Sequence, residues 1–148
     1  MRKLMSILLA LVMILSLSTV AFAAEHEDMA TVTLTKEYKL EKAGTVSPAE
    51  EFTFSALTCT DVQNAGVGVT VTNAPVPTID TVSYTAGEAG SATATKNITI
   101  NLPEYTAVGV YTYKFSEQNN NVAGVTYFSD DIYLVVTVSQ GATGLIRT

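Results

Sequence analysis

The sequence predicts an all-β chain folded as a two-sheet antiparallel β-sandwich, and three observations carry that prediction. After residue 23, apolar residues recur with period 2, and no window sustains the i, i+3, i+4 spacing of a helix. Thr and Val abound there and Leu is sparse, a composition suited to pleated, half-buried surfaces. Turn residues interrupt the apolar runs every roughly 8–12 residues, the rhythm of a sandwich.

The first residues have a different character. Met1-Arg2-Lys3 is a short basic start, Leu4–Val20 is almost unbroken apolar sequence, and Ala21-Phe22-Ala23 puts small residues where a signal peptidase reads. That order is the order of a secretory signal peptide, so residues 1–23 are excluded from the fold. The alternative is an uncleaved membrane anchor, because the apolar run is near the lower limit of roughly 17–25 residues for a spanning helix. Export to the cell surface or the medium is expected. Residues 24–30 are expected to form a disordered lead-in, and residues 31–148 one domain.

Without Arg2 and Lys3 the formal net charge moves from −6 to −8. An acidic surface argues against nucleic acid and anionic membranes as partners, since both demand Lys/Arg clusters. Cys59 is the only cysteine, so no intrachain disulfide can form. Packing, a metal or some other crosslink has to hold the exported domain together.

Thr31–Leu40 reads as the first strand, with Val32, Leu34, Lys36, Tyr38 and Leu40 on one face. Lys42-Ala43-Gly44 breaks it, and Ser47-Pro48-Ala49-Glu50 is a loop. Glu51–Leu57 is the next strand, with Phe52 and Phe54 inward, followed by Val67–Val71. Pro75 and Pro77 make Asn73–Pro77 an edge or crossing segment. Ile79–Thr85 is a further strand, Gly87-Glu88-Ala89-Gly90 a turn, and Lys96–Leu102 a strand with Ile98, Ile100 and Leu102 inward. Gly109–Glu117 and Ile132–Val138 carry the clearest alternation, with a polar turn at Asn119-Asn120-Asn121 between them.

The residues of ordinary catalysis are missing. His26, the only histidine, lies beside the expected cleavage site, which makes Ser-His-Asp, Cys-His and His-metal arrangements implausible. Cys59 reads as a small packed residue rather than a nucleophile. Asp130-Asp131 could touch calcium, but such a site wants about six to eight oxygens, so a solvated pair at a strand edge is preferred. No phosphate-binding glycine motif occurs. The expectation is neither an enzyme nor a protein with a cofactor or metal.

Two charges fall where the alternation puts core residues. Lys36 shares the face of Val32 and Leu34, and Glu117 shares that of Tyr111, Tyr113 and Phe115. A one-residue slip would expose the whole apolar set, so the register holds both inward. Each alone could be a strand-end charge that snorkels out. Buried together, they have to be paired, neutralised or chemically consumed.

These residues resemble the Gram-positive pilin isopeptide-linkage family, the sandwich modules of major pilins and surface adhesins. The resemblance spans Thr31–Gln140. It rests on Thr33-Leu34-Thr35-Lys36, Ser47-Pro48-Ala49-Glu50-Glu51-Phe52-Thr53-Phe54 and Ser83-Tyr84-Thr85-Ala86-Gly87-Glu88-Ala89-Gly90. Its most specific stretch is Gly109-Val110-Tyr111-Thr112-Tyr113-Lys114-Phe115-Ser116-Glu117, followed by Gly124-Val125-Thr126-Tyr127.

The resemblance implies an immunoglobulin-like, pilin-type sandwich. It also implies a core lysine that attacks an asparagine amide on the last strand, with a buried glutamate shuttling protons. Lys36 carries over as the nucleophile and Glu117 as the acid/base. Apolar burial favours the neutral amine and the neutral carboxyl that this step needs. Implied partners are other pilin or surface-protein domains, and a host or matrix ligand. The acceptor departs from the family pattern: no asparagine follows Asn121, and Gln140 is longer and sits at a strand end. Leu145–Thr148 reads as the start of a strand whose remainder is missing. The competing class is a secreted module that binds a carbohydrate or protein ligand. Against it, most of the seven tyrosines lie on strands or strand ends rather than loops.

Overall fold

The computed structural model describes residues 26–148, so the expected signal peptide lies outside the described residues. Nine strands follow in order: β1 (Thr31–Glu37), β2 (Glu50–Phe52), β3 (Thr58–Gln63), β4 (Thr78–Ile79), β5 (Val82–Tyr84), β6 (Thr95–Asn101), β7 (Gly109–Phe115), β8 (Ile132–Gln140) and β9 (Leu145–Arg147). One sheet has the order β3-β7-β8-β9, another the order β1-β6-β4, and β2 pairs with β5. Every strand pair is antiparallel. The chain is an all-β sandwich.

Period-2 burial explains which residues meet between the sheets. β7 alternates buried Tyr111, Tyr113 and Phe115 with half-buried Thr112 and Lys114, and β8 adds Val136 and Val138. From the opposite sheet Ile100 joins them, with Val32, Leu34 and Ile79 packed alongside. The buried tyrosines satisfy their hydroxyls locally. Tyr113 donates to Pro75 O at 2.6 Å, Tyr111 donates to Ala107 O at 2.9 Å, and Tyr105 and Tyr113 share a hydroxyl contact of 2.9 Å. A second cluster gathers Tyr38, Phe52, Val82, Tyr84 and Ile98. In it Tyr38, Phe52 and Tyr84 meet edge to face with ring centroids 5.2–5.7 Å apart, an arrangement that aromatic quadrupoles favour.

Several elements differ from expectation, each for a local reason. β1 stops at Glu37, although Tyr38 keeps its inward place and donates its N–H to Ala94 O at 2.9 Å. Leu40 turns outward at the following bend. Val67–Val71 is a run of turns, not a strand. Asn73 closes it by accepting from Thr70 N at 2.8 Å and donating to Gly68 O at 2.9 Å, while Gly68 takes a positive φ of 86°. These side-chain bonds offer the backbone an alternative to a ladder. Glu51–Leu57 contributes only β2 and a lone bridge from Phe54 to Glu117, and the ladder resumes at β3. β3 is hidden in the sequence because a bulge between Cys59 and Asp61 shifts its alternation. Ile79–Thr85 splits at Asp80 and Thr81 into β4, which pairs with β6, and β5, which pairs with β2.

These placements separate two substitutions. Phe52→Ala should lower stability by about 3–5 kcal/mol, the cost of emptying a core aromatic site. Val67→Ser should stay within about 0.5 kcal/mol of the parent. Denaturant titration of both variants checks the pair; a Val67→Ser loss equal to that of Phe52→Ala would put the valine in a ladder after all.

Candidate functional site: a lysine and a glutamate in the sandwich interior

β1 carries Lys36 to the inner surface beside Leu34. The bridge between Phe54 and Glu117 carries the glutamate inward two residues after Phe115. Lys36 Nζ lies 2.6 Å from Glu117 Oε2, with 17% of the lysine side chain and 2% of the glutamate side chain exposed. The other carboxylate oxygen, Oε1, accepts the backbone N–H of Phe128 at 3.3 Å. The ammonium also sits 4.1 Å from the ring centroid of Phe52, a cation–π contact strengthened by partial desolvation. Tyr84 donates its hydroxyl to Lys36 O at 2.8 Å, which ties β5 to the lysine's own peptide.

Beside this pair is a cavity of about 330 Å³ lined by Leu34, Thr35, Lys36, Phe54, Glu117, Phe128 and Ile132. Its walls are mostly apolar, interrupted by the two charged groups and Thr35. A side chain entering it would meet an amine and a carboxylate already in contact. That is the minimum for nucleophilic attack by nitrogen with a neighbouring group to move protons.

Three further charged groups were not anticipated from the sequence, and the first two lie around the site while the third braces the opposite end of β1. Lys96 stands directly opposite Lys36 in the β1–β6 register, on the same face as Ile98 and Ile100. It is drawn aside to Glu88 at 2.8 Å and Ser83 O at 2.7 Å, with its ammonium 4.5 Å from the Tyr84 ring centroid. The hydrogen bond from Lys96, with the Thr85 N–H, holds the Glu88 carboxyl down at about 2. The alternation that flagged Lys36 would have flagged Lys96 as well.

Glu50, also buried, accepts Asn120 Nδ2 at 2.8 Å and the Tyr127 hydroxyl at 2.9 Å. It thereby fastens the loop whose Phe128 N–H reaches Glu117. No periodicity in the loop betrays this role. Arg147 is the third group. Its guanidinium pairs with Asp28 and donates to Leu102 O at 3.1 Å and Pro103 O at 3.0 Å. Asp28 and Met29, within the stretch read as a disordered lead-in, are thus bonded to β9, Met29 through its N–H to Arg147 O at 3.0 Å.

The other residues singled out in the sequence stand apart from this site. His26 is exposed at the start of the described residues. Cys59 is buried in the larger cluster, where burial raises its thiol and its Sγ lies 3.5 Å from Asp61 O. Asp130 and Asp131 are exposed, and Asp131 pairs with Lys114 at 3.3 Å. Gln140 ends β8 and caps its own turn through Gly141 O at 3.1 Å. That position is about 26 Å of strand away from Ile132 at the cavity.

A family model for Spy0128-like isopeptide-containing domains, FctA, matches residues 30–148. The chain belongs to that family. No curated protein and no solved structure matches it. FctA domains are pilin structural modules rather than enzymes, and the all-β sandwich found here accords with that class.

Two expectations follow from the charged groups. Glu117→Ala leaves Lys36 unpaired in the interior and should cost about 3–5 kcal/mol, whereas the double variant Lys36→Met, Glu117→Leu should recover most of it. Chemical denaturation of the three proteins measures this, and an additive double variant would contradict it. Asp28 is held at about 2, against 3.8, first by its side-chain bond with Arg147. Its folded-state value is the depressed one, so its stabilising contribution is complete above about pH 4 and is lost as pH falls through about 2. Asp28→Asn should therefore lower the melting temperature near neutrality and converge with the parent below pH 2.

Proposed function

We propose that this chain is a structural module of an exported cell-surface pilin or adhesin, in which Lys36, with Glu117 as its acid/base, forms an internal isopeptide bond with an asparagine. The observation that carries the reading is the 2.6 Å contact between Lys36 Nζ and Glu117 Oε2 beside an apolar cavity with room for a third side chain. Membership of an isopeptide-containing family supports the same chemistry.

In the reaction, a proton passes from Lys36 to Glu117 and leaves a neutral amine. The amine attacks the asparagine Cγ, while the protonated carboxyl donates a hydrogen bond to the amide oxygen. A Cγ–Nζ bond forms and the Cγ–Nδ2 bond breaks. The proton shed by the lysine nitrogen travels through Glu117 to the departing group, which leaves as ammonia. The ammonia takes up the first proton from Glu117 and departs as ammonium, so Glu117 ends as the carboxylate it began as, and the event occurs once per molecule. Gln140 does not serve as the acceptor, because its amide caps its own turn at the far end of β8. A crosslink from the first strand to a late one resists pulling and proteolysis, the demands on a fibre built from polymerised subunits.

Trypsin digestion of the protein isolated from the surface of the cells that make it tests the reading. The expected product is a branched peptide in which Lys36 is uncleaved and joined to an asparagine-bearing segment, about 17 Da lighter than the sum of its parts. Lys36→Ala and Glu117→Ala should abolish it. Loss of a covalent loop this long should also remove roughly 4 kcal/mol of stability, by analogy with a disulfide of similar span. Ordinary cleavage after Lys36 in the native protein would sink the assignment.

A further inference from the structure

The amine at the cavity differs from its neighbour across the ladder. Lys96 Nζ has two acceptors, Glu88 at 2.8 Å and Ser83 O at 2.7 Å. Among the described residues Lys36 Nζ has one, Glu117 Oε2 at 2.6 Å, although an ammonium carries three N–H donors. Its other neighbours are the Phe52 ring, with its centroid 4.1 Å away, and the cavity that the lysine lines.

That cavity suits an apolar guest. Leu34, Phe54, Phe128 and Ile132 form most of its wall, and Phe128 and Thr35 are exposed, so the space opens to solvent. An apolar cavity of about 150 Å³ suffices to hold benzene. The volume of about 330 Å³ here has room for such a ring with a reactive group attached. A guest with an apolar body and a carbonyl at one end would place the carbonyl carbon beside an amine whose proton acceptor is already in contact.

We propose that Lys36 is a covalent capture site for small apolar aldehydes, which enter this cavity and form an imine with its amine. A proton passes from Lys36 to Glu117, and the neutral nitrogen attacks the aldehyde carbon. A C–N bond forms, and Glu117 returns the proton to the former carbonyl oxygen, giving a hydroxyl. The nitrogen then yields a second proton to Glu117, which passes it to that hydroxyl. The C–O bond breaks, water leaves and a C=N bond remains.

The product nitrogen is a protonated imine and Glu117 is again a carboxylate. The buried ion pair therefore survives the reaction, and no uncompensated charge is left in the interior. An aldehyde suits the site because its carbonyl needs no leaving group other than water. The capture uses the amine that the isopeptide reading assigns to an asparagine but requires no asparagine, so the two readings can fail separately.

The order in which the lysines react tests the capture. Side-chain exposure falls from Lys39 at 73% through Lys114 at 42% and Lys96 at 32% to Lys36 at 17%. The purified protein is treated with benzaldehyde and cyanoborohydride, which reduces the imine to a stable secondary amine about 90 Da heavier. Formaldehyde, which has no apolar body, serves as the control, and peptide mapping locates the label. With benzaldehyde Lys36 should react roughly tenfold faster than Lys39. With formaldehyde the order should follow exposure. Leu34→Phe, which fills the cavity, should erase the benzaldehyde preference and leave the formaldehyde order unchanged; Ile132→Phe serves the same purpose should that variant not fold.

Benzaldehyde labelling that follows exposure overturns the capture, and so does an undiminished preference in the filled-cavity variant. A starting mass about 17 Da low with Lys36 unreactive also overturns it, and upholds the isopeptide reading. Selective labelling of a chain that never loses that mass upholds the capture, whatever the fate of the isopeptide reading.

Discussion

A lysine ammonium and a glutamate carboxylate meet inside the sandwich with the glutamate almost wholly withdrawn from water, and the rest of the molecule is arranged around that contact. Neither charge could be buried alone, because desolvating a lone ion costs several kcal/mol, comparable to a domain's whole stability. Their meeting demands that β1 and the segment after β7 be held in one register, since a shift of one residue would turn either group to the opposite face. The β1–β6 and β7–β8 ladders, each seven residues in register, provide that constraint.

The environment of the pair is polar only where polarity is used. Phe52 covers the ammonium, Phe128 N–H satisfies the second carboxylate oxygen, and Tyr84 grips the lysine's own carbonyl. The loop bearing Phe128 is anchored elsewhere, through Tyr127 and Asn120 to the buried Glu50. Lys96, opposite Lys36, is diverted to Glu88, so that the two ammoniums do not compete for one carboxylate. Like charges directly opposite in a ladder destabilise it unless they are separated in this way.

The same geometry links chemistry to mechanics. Among the described residues the lysine's strand is the edge of its sheet, and the cavity beside it is lined from both β1 and β8. A crosslink formed at that lysine would add covalent closure to a strand that the β1–β6 ladder already holds by hydrogen bonds.

How much of this was legible beforehand divides along a physical line. Period-2 alternation exposed β1, β6, β7 and β8, and it flagged Lys36 and Glu117, because a long strand buried on one face writes its register into the sequence. It failed at Val67–Val71, where Asn73 bonds replace a ladder, and at β3, where a bulge breaks the period. Glu50 and Arg147 were missed because their burial depends on partners distant in sequence, Tyr127 and Asp28. The sequence by itself determined the all-β class and the inward direction of Lys36 and Glu117, since strand alternation is a local property. Only the tertiary structure decided that the two meet at 2.6 Å and that an unfilled gap lies beside them, since those facts depend on how separate sheets are brought face to face.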